Sequence, residues 1–303
     1  MASTHLLTYS RLYKKVLGGI AVTMLATACQ TVQTTNAGVL GVNRQQQMMV
    51  GAAEIEQASA LAYTQAMQKS QRAGTLNADA AISARVRQIS QRLIAQVPAF
   101  RPDAKAWKWE VNTIRSDEVN AYCMAGGKIV VFSGLVTRLK LTDDELAAVI
   151  GHEIAHALRE HVREQASQQQ LGQLLALGAS AAGVNDQYLG LAGDAFQLYG
   201  LKHSRRDETE ADLIGVELAA RAGYDPRAAV TLWDKMAANG GGRPLEFLST
   251  HPSPENRQAV LRDASGKVLP LYQQKQTNWA PPQLPREQRA APVRSKKRAT
   301  KRK

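Results

Sequence analysis

The stretch 142–158, Thr-Asp-Asp-Glu-Leu-Ala-Ala-Val-Ile-Gly-His-Glu-Ile-Ala-His-Ala-Leu, decides how the chain is read. It opens with Thr142-Asp143-Asp144-Glu145, the Thr-x-x-Glu form of a capping box, and runs directly into the apolar positions Leu146, Val149 and Ile150. A helix that begins there carries acids in its first turn, where the macrodipole favours them. Inside it, His152-Glu153-Ile154-Ala155-His156 spaces two imidazoles four residues apart. That spacing is about 40° around the axis and one turn along it, so both rings can reach a single metal ion. Glu153 stands beside them, where its carboxylate can hold a water on that ion. Val149, Ile150, Ala155, Ala157 and Leu158 are uncharged, which puts the motif on a helix packed into a core.

A catalytic zinc needs a third protein ligand and an open fourth position. His161 is nearest in sequence, but on a continuous helix five residues rotate it about 140° from His156, so it is expected at the surface. Arg159 and Val162 also stand where the metzincin pattern requires Gly and His. A better source lies in 204–215, Ser-Arg-Arg-Asp-Glu-Thr-Glu-Ala-Asp-Leu-Ile-Gly. Glu208 and Asp212 share a helix face there, so one can bind the metal while the other orients a ligand histidine from behind. Glu210 points about 200° away from Glu208, and helix phase alone leaves the choice between the two open.

Outward from these motifs, apolar residues recur at helical spacing over 52–72 and again over 78–96, where Ile82, Val86, Ile89 and Leu93 form one stripe. Alternation over 107–114 predicts a half-buried strand. A second strand is expected over 128–133, entered through Gly126-Gly127. The apolar run 171–184 is short of the ~20 residues a membrane span needs and is expected to pack as a helix. A long helical stretch follows over 188–222 with a break near 200–204. Gly223 is placed to stop it, and Asp225-Pro226 to begin the next helix.

Hydrophobic residues make up 44% of the 303 and charged residues 21%, which suits a sizeable core and excludes extended disorder for most of the chain. The net charge of +12 would suggest a nucleic-acid binder if it were spread evenly. It is not: residues 275–303 carry +9, residues 1–28 carry +3, and 29–274 are electroneutral. With two cysteines, Cys29 and Cys123, a disulfide framework is excluded. Arg11, Lys14 and Lys15 precede an apolar run from Val16 to Ala28 that is too short to span a bilayer and fits a secretory signal. Leu25-Ala26-Thr27-Ala28-Cys29 resembles the lipobox of bacterial lipoproteins, which implies acylation of Cys29; the Gln30 that follows favours the outer membrane by resemblance to enterobacterial sorting. Residues 30–50, rich in Gln, Thr and Asn, are expected to be a tether. The Pro-rich basic tail, 271–303, is expected to be disordered. A tail of that charge is suited to anionic lipid or lipopolysaccharide, and the signal segment disfavours nucleic acid.

His-Glu-x-x-His followed some fifty residues later by Ser-Arg-x-x-Glu-x-x-Ala-Asp-x-x-Gly resembles the M48 family of zinc metallopeptidases, the Ste24/HtpX-like gluzincins. Residues 120–129, Asn-Ala-Tyr-Cys-Met-Ala-Gly-Gly-Lys-Ile, resemble that family's Asn-Ala-Phe-x-x-Pro-Gly-Gly segment, with Ala125 in place of Pro. Residues 250–257, from Thr250 and His251-Pro252 to Arg257, resemble its late His-Pro-x-x-x-x-Arg element. With no run of ~20 apolar residues, the resemblance is to a soluble periplasmic lipoprotein branch.

The resemblance implies an α+β fold, a mostly helical zincin-like metallopeptidase domain with a small β-sheet over 76–270, preceded by a tether and N-terminal helix over 29–75. It implies one Zn2+ per chain on His152, His156 and Glu208, Glu153 as the base, Asp212 behind a ligand, and Glu210 dispensable. His251 is a candidate to stabilise the oxyanion or to plug the open zinc position. Asn120, Ala121, Gly127 and Lys128 are candidates for substrate binding, because the strand over 128–132 offers its backbone to an extended peptide if it is a sheet edge. The implied activity is zinc-dependent endoproteolysis of misfolded or misassembled envelope proteins. A chaperone or assembly factor for outer-membrane proteins with a largely latent zinc site is the alternative.

Overall fold

The computed structural model describes residues 30–181, 203–239 and 245–277, the side chains of 175–181 excepted. Cys29, the signal segment before it and the tail beyond 277 lie outside these residues, as does most of the segment expected to break the long helix. Chain order is β1 (Gln30–Val32), β2 (Gln46–Met48), α1 (Ala52–Arg72), α2 (Ala80–Ile94), β3 (Glu110–Ile114), β4 (Ala121–Met124) and β5 (Lys128–Phe132). Then follow α3 (Ser133–Arg138), α4 (Asp143–Leu158), α5 (His161–Ala181), α6 (Arg205–Arg221), α7 (Ala228–Asn239), α8 (Glu246–Thr250) and α9 (Arg257–Thr277). The architecture is the expected mostly helical α+β domain.

Helix α4 is the axis of the core. Its capping box forms in both directions: Thr142 Oγ1 accepts from the Glu145 backbone N–H at 3.2 Å, and Glu145 Oε2 accepts from that of Thr142 at 2.8 Å. Such a cap contributes about 1 kcal/mol to the helix start. Every residue from Glu145 to Leu158 is buried, as expected of a helix with apolar residues all round. It packs on α6, α7 and α2 and carries β4 across it. Helix α6 begins with a second capping box, Ser204 with Asp207.

The three-stranded sheet has the order β3-β5-β4, with β3 parallel and β4 antiparallel to β5. The strand expected at the edge, β5, is therefore the central one, and β4 is an edge. Helices α1 and α2 lie within the stretches the periodicity predicts. The first long strand starts at Glu110, since Trp107 and Trp109 stack on one another before it and the Trp109 indole donates to Ala104 O. Gly126 and Gly127 both take positive φ in the turn between β4 and β5, and a Cβ on Gly127 would lie 2.6 Å from the Trp109 ring. Gly223 ends α6 at φ +80°.

Two boundaries differ from expectation. Helix α9 continues to Thr277, carrying Leu271 and Tyr272 against the core beyond the expected tail start. Residues 30–50 are not a solvated tether. They pair as β1 and β2 and pack on the domain, with Gln46 fully buried. The polar composition misleads because these side chains supply hydrogen bonds inward: Gln46 Nε2 donates to Arg159 O at 2.7 Å and to Glu164 at 2.6 Å. Among the described residues no helix is long and apolar enough to cross a membrane.

Candidate metal centre

Four side chains converge, two from α4, one from α6 and one from the C-cap of α8. His152 Nε2 and His156 Nε2 lie 3.1 Å apart. Glu208, from α6, puts Oε2 3.5 Å from the first and Oε1 3.4 Å from the second. His251, at the end of α8, completes a set whose ligand atoms all lie within 4.8 Å of one another. Each of these four residues is buried. Glu208 Oε1, Glu153 Oε1 and His251 Nε2 find no hydrogen-bond partner among the described residues. Buried polar atoms are rarely left this way, and a cation among them satisfies the arrangement.

Electrostatics agree. Burial holds His152 below the usual imidazole range, and His156 and His251 well below it, so all three are neutral and able to donate a lone pair. Burial pushes the Glu208 and Glu153 carboxyls well above the usual range, Arg257 opposing it in both. A divalent ion reverses that penalty for Glu208.

The supporting groups fix orientation. Asp212 Oδ1 sits 3.0 Å from His152 Nδ1, so with Nδ1 protonated the Nε2 lone pair faces the cluster. Arg257 Nη2 donates to Asp212 at 2.8 Å and to Glu208 at 3.2 Å while its guanidinium lies 3.2 Å over the Trp233 ring centre. His251 Nδ1 lies 3.0 Å from Phe247 O, which takes its proton and leaves Nε2 bare. Glu153 Oε1 is 3.5 Å from that Nε2. The close approach that permits this is glycine on glycine: a Cβ on Gly151 would lie 2.9 Å from Gly215 O.

Of the expected substrate-binding residues, Ala121 begins the edge strand β4, and Asn120 Oδ1 accepts from the Ala121 backbone N–H at 2.9 Å. Gly127 and Lys128 sit at the other end of that hairpin, where Lys128 Nζ donates to Glu110 at 2.7 Å and to Lys108 O at 2.6 Å. Cys123, also on β4, is a free buried thiol pushed well above its ordinary range by burial and by Glu153.

Three site residues escape the reading of the sequence. Arg257 stands inside a quoted motif without a role. His203, just before Ser204, packs its ring 4.1 Å from that of His156; burial and the neighbouring histidines push it down to about 3. His161 is fully buried, contrary to the surface position expected. The 140° rotation assumed an unbroken helix, but α4 ends at Leu158, Glu160 turns the chain at φ +52°, and α5 starts afresh at His161. Glu210 is buried on the far side of α6 from Glu208, bonded to Arg44 and, at 2.9 Å, to Arg159 Nε.

The family model described as Peptidase family M48 matches residues 80–265. The mitochondrial metalloendopeptidase OMA1 of Arabidopsis thaliana is 40% identical over 171 residues, covering 55% of this chain and 34% of that protein. The OMA1 of Schizosaccharomyces pombe is 40% identical over 157 residues, 50% of this chain and 44% of that one. The beta-barrel assembly-enhancing protease of Escherichia coli K12 is 33% identical over 172 residues, 53% and 35% respectively. The matched region therefore spans less than half the length of each of these relatives.

Proposed function

The chain belongs to peptidase family M48 and is a metalloprotease, and from that premise we propose that it is a zinc-dependent endopeptidase of a bacterial cell envelope that cleaves misfolded or misassembled proteins. One observation carries the reading: buried, neutral His152 and His156 and the otherwise unpartnered Glu208 Oε1 meet beside the buried carboxylate of Glu153. In this reading His152, His156 and Glu208 hold one zinc ion, which when bound lends Lewis acidity at the scissile carbonyl and brings a water's pKa to around neutrality. Glu153 takes the proton of the attacking water and passes it to the leaving amine, and its burial suits a base that must also serve as an acid. Asp212, held by Arg257, keeps His152 in the ligating tautomer. An extended substrate adds to the edge strand β4, past Asn120 and Ala121, in place of the central strand β5; such pairing reads backbone more than side chains and suits unfolded segments.

The envelope setting rests on the signal-like segment ending at Cys29, read as a lipid anchor that Gln30 assigns to the outer membrane, and on similarity to a protein named for enhancing beta-barrel assembly. Similarity at 40% identity to mitochondrial enzymes supports the chemistry and not the compartment. The basic tail is suited to anionic lipid or lipopolysaccharide.

A second reading, an assembly factor with a largely latent zinc site, is favoured by His251. Its bare Nε2 offers a fourth protein donor where the attacking water must sit. Casein degradation by the purified protein separates the readings. Proteolysis that a zinc chelator stops and Glu153→Gln abolishes supports the peptidase; no cleavage by the metal-loaded wild type, with activity released by His251→Ala, supports latency.

A further inference from the structure

We propose that His161 and Glu210 are positioning residues that lock the ligand His156 in its metal-binding tautomer through a two-step hydrogen-bond relay. The inference rests on the proposal that His156 binds the metal through Nε2. His156 Nε2 faces the cluster, so its proton must sit on Nδ1, and a buried Nδ1–H needs an acceptor. The acceptor is a second imidazole: His161 Nδ1 lies 2.9 Å from His156 Nδ1. It can accept only if its own proton is on Nε2, and that nitrogen lies 3.2 Å from Glu210 Oε2. Read outward, the protons are ordered without conflict: His156 Nδ1–H to His161 Nδ1, His161 Nε2–H to the Glu210 carboxylate.

The far end of the relay is anchored in charge. Arg44 Nε donates to Glu210 Oε1, and Arg159 Nη2 lies 2.8 Å from Oε2. Against the upward push of burial, the His161 N–H and these two guanidiniums hold the Glu210 carboxyl well below the usual range. Arg44 itself is fixed by Glu164 at 2.5 Å, and Arg159 donates to Arg44 O at 3.0 Å. The cluster His161, Asp207 and Glu210 has metal-like donors, yet Arg44 and Arg159 already neutralise it, so it serves the neighbouring site and not a second ion. Arg44 lies outside the region matched by the family model, so the 30–50 segment, packed where a tether was expected, supports the metal centre from behind.

Two measurements on the full chain test this. Zinc affinity by competition with a chromophoric chelator should fall 10- to 100-fold for His161→Leu, which removes the acceptor. His161→Asn, whose Oδ1 replaces Nδ1 as acceptor, should restore affinity to within about threefold of wild type. Equal affinity for His161→Leu and wild type, or an Asn variant as weak as the Leu variant, overturns the relay. Nitrogen-15 histidine spectra of the zinc-loaded wild type give a readout that needs no folded variant: His161 should be the neutral Nε2–H tautomer, and an Nδ1–H tautomer or an imidazolium contradicts the proposal. A wild type that binds no zinc overturns the metal reading itself, a different result from zinc binding that ignores His161.

Discussion

Gly151 of α4 and Gly215 of α6 meet backbone to backbone, so that a Cβ on Gly215 would lie 2.7 Å from the backbone nitrogen of the candidate ligand His152. The helices that carry His152, His156 and Glu208 are set at that distance by the absence of two side chains. Gly215→Ala forces them apart against a packed core, at a cost of about 1–3 kcal/mol, and shifts Glu208 relative to the histidines. Lower thermal stability together with weaker zinc retention after dialysis is the expected outcome. Unchanged retention would mean that helix spacing does not set the ligand geometry.

Glu153→Gln should separate stability from function. The Glu153 carboxyl is buried and raised well above its ordinary range in the metal-free protein, so the stability linked to its protonated form is complete below the unfolded value of about 4.3 and is lost as pH rises toward the folded value. A neutral amide removes that loss. Calorimetry of the metal-free proteins should show the variant more stable than wild type at pH 7 and nearly equal to it near pH 4. Peptidase activity should be abolished with zinc retained. A variant less stable at neutral pH would contradict the burial argument.

Glu210→Ala tests the opposite sign. The Glu210 carboxyl is held well below its ordinary range, so its contribution is present above about pH 4.3 and declines as pH falls through the folded value. Removing it strands Arg159 and part of Arg44, a loss on the order of 3 kcal/mol near neutrality. In denaturation at a series of pH values, the gap between wild type and variant should be widest near pH 7 and narrow below pH 4. A gap independent of pH would remove the electrostatic explanation.

The α4 helix, its cap and its two imidazoles were legible because local spacing determines them: Thr142 and Glu145 act within one turn, as do His152 and His156. The chain reversal at Glu160 was not. A positive φ at a non-glycine residue leaves no compositional mark, so His161 was assigned to the wrong side of a helix that had already ended. The role of 30–50 was hidden for a related reason. Polarity predicts solvent unless the partners are known, and those that draw Arg44 and Gln46 onto the domain, Arg159, Glu164 and Glu210, lie more than 110 residues away. Which strand forms the sheet edge is likewise set by long-range pairing, and strand order cannot be read from the alternation within a single strand.

Cys29→Ser tests the envelope proposal, since that thiol is the acylation point the lipobox-like residues imply. Fractionation of cells expressing the variant should find an uncleaved or soluble precursor in place of a membrane-bound mature chain. A variant still fully mature and membrane-bound would contradict the lipid anchor.

Restoring zinc to metal-stripped wild-type protein while following cleavage of an unfolded polypeptide tests the central claim most directly. The account predicts that activity returns in proportion to added zinc, reaches its plateau at one ion per chain, and does not return in Glu208→Ala over the same range. Cleavage by the stripped protein, or full recovery in Glu208→Ala at one equivalent, would contradict the assignment of His152, His156 and Glu208 as the metal site of a peptidase.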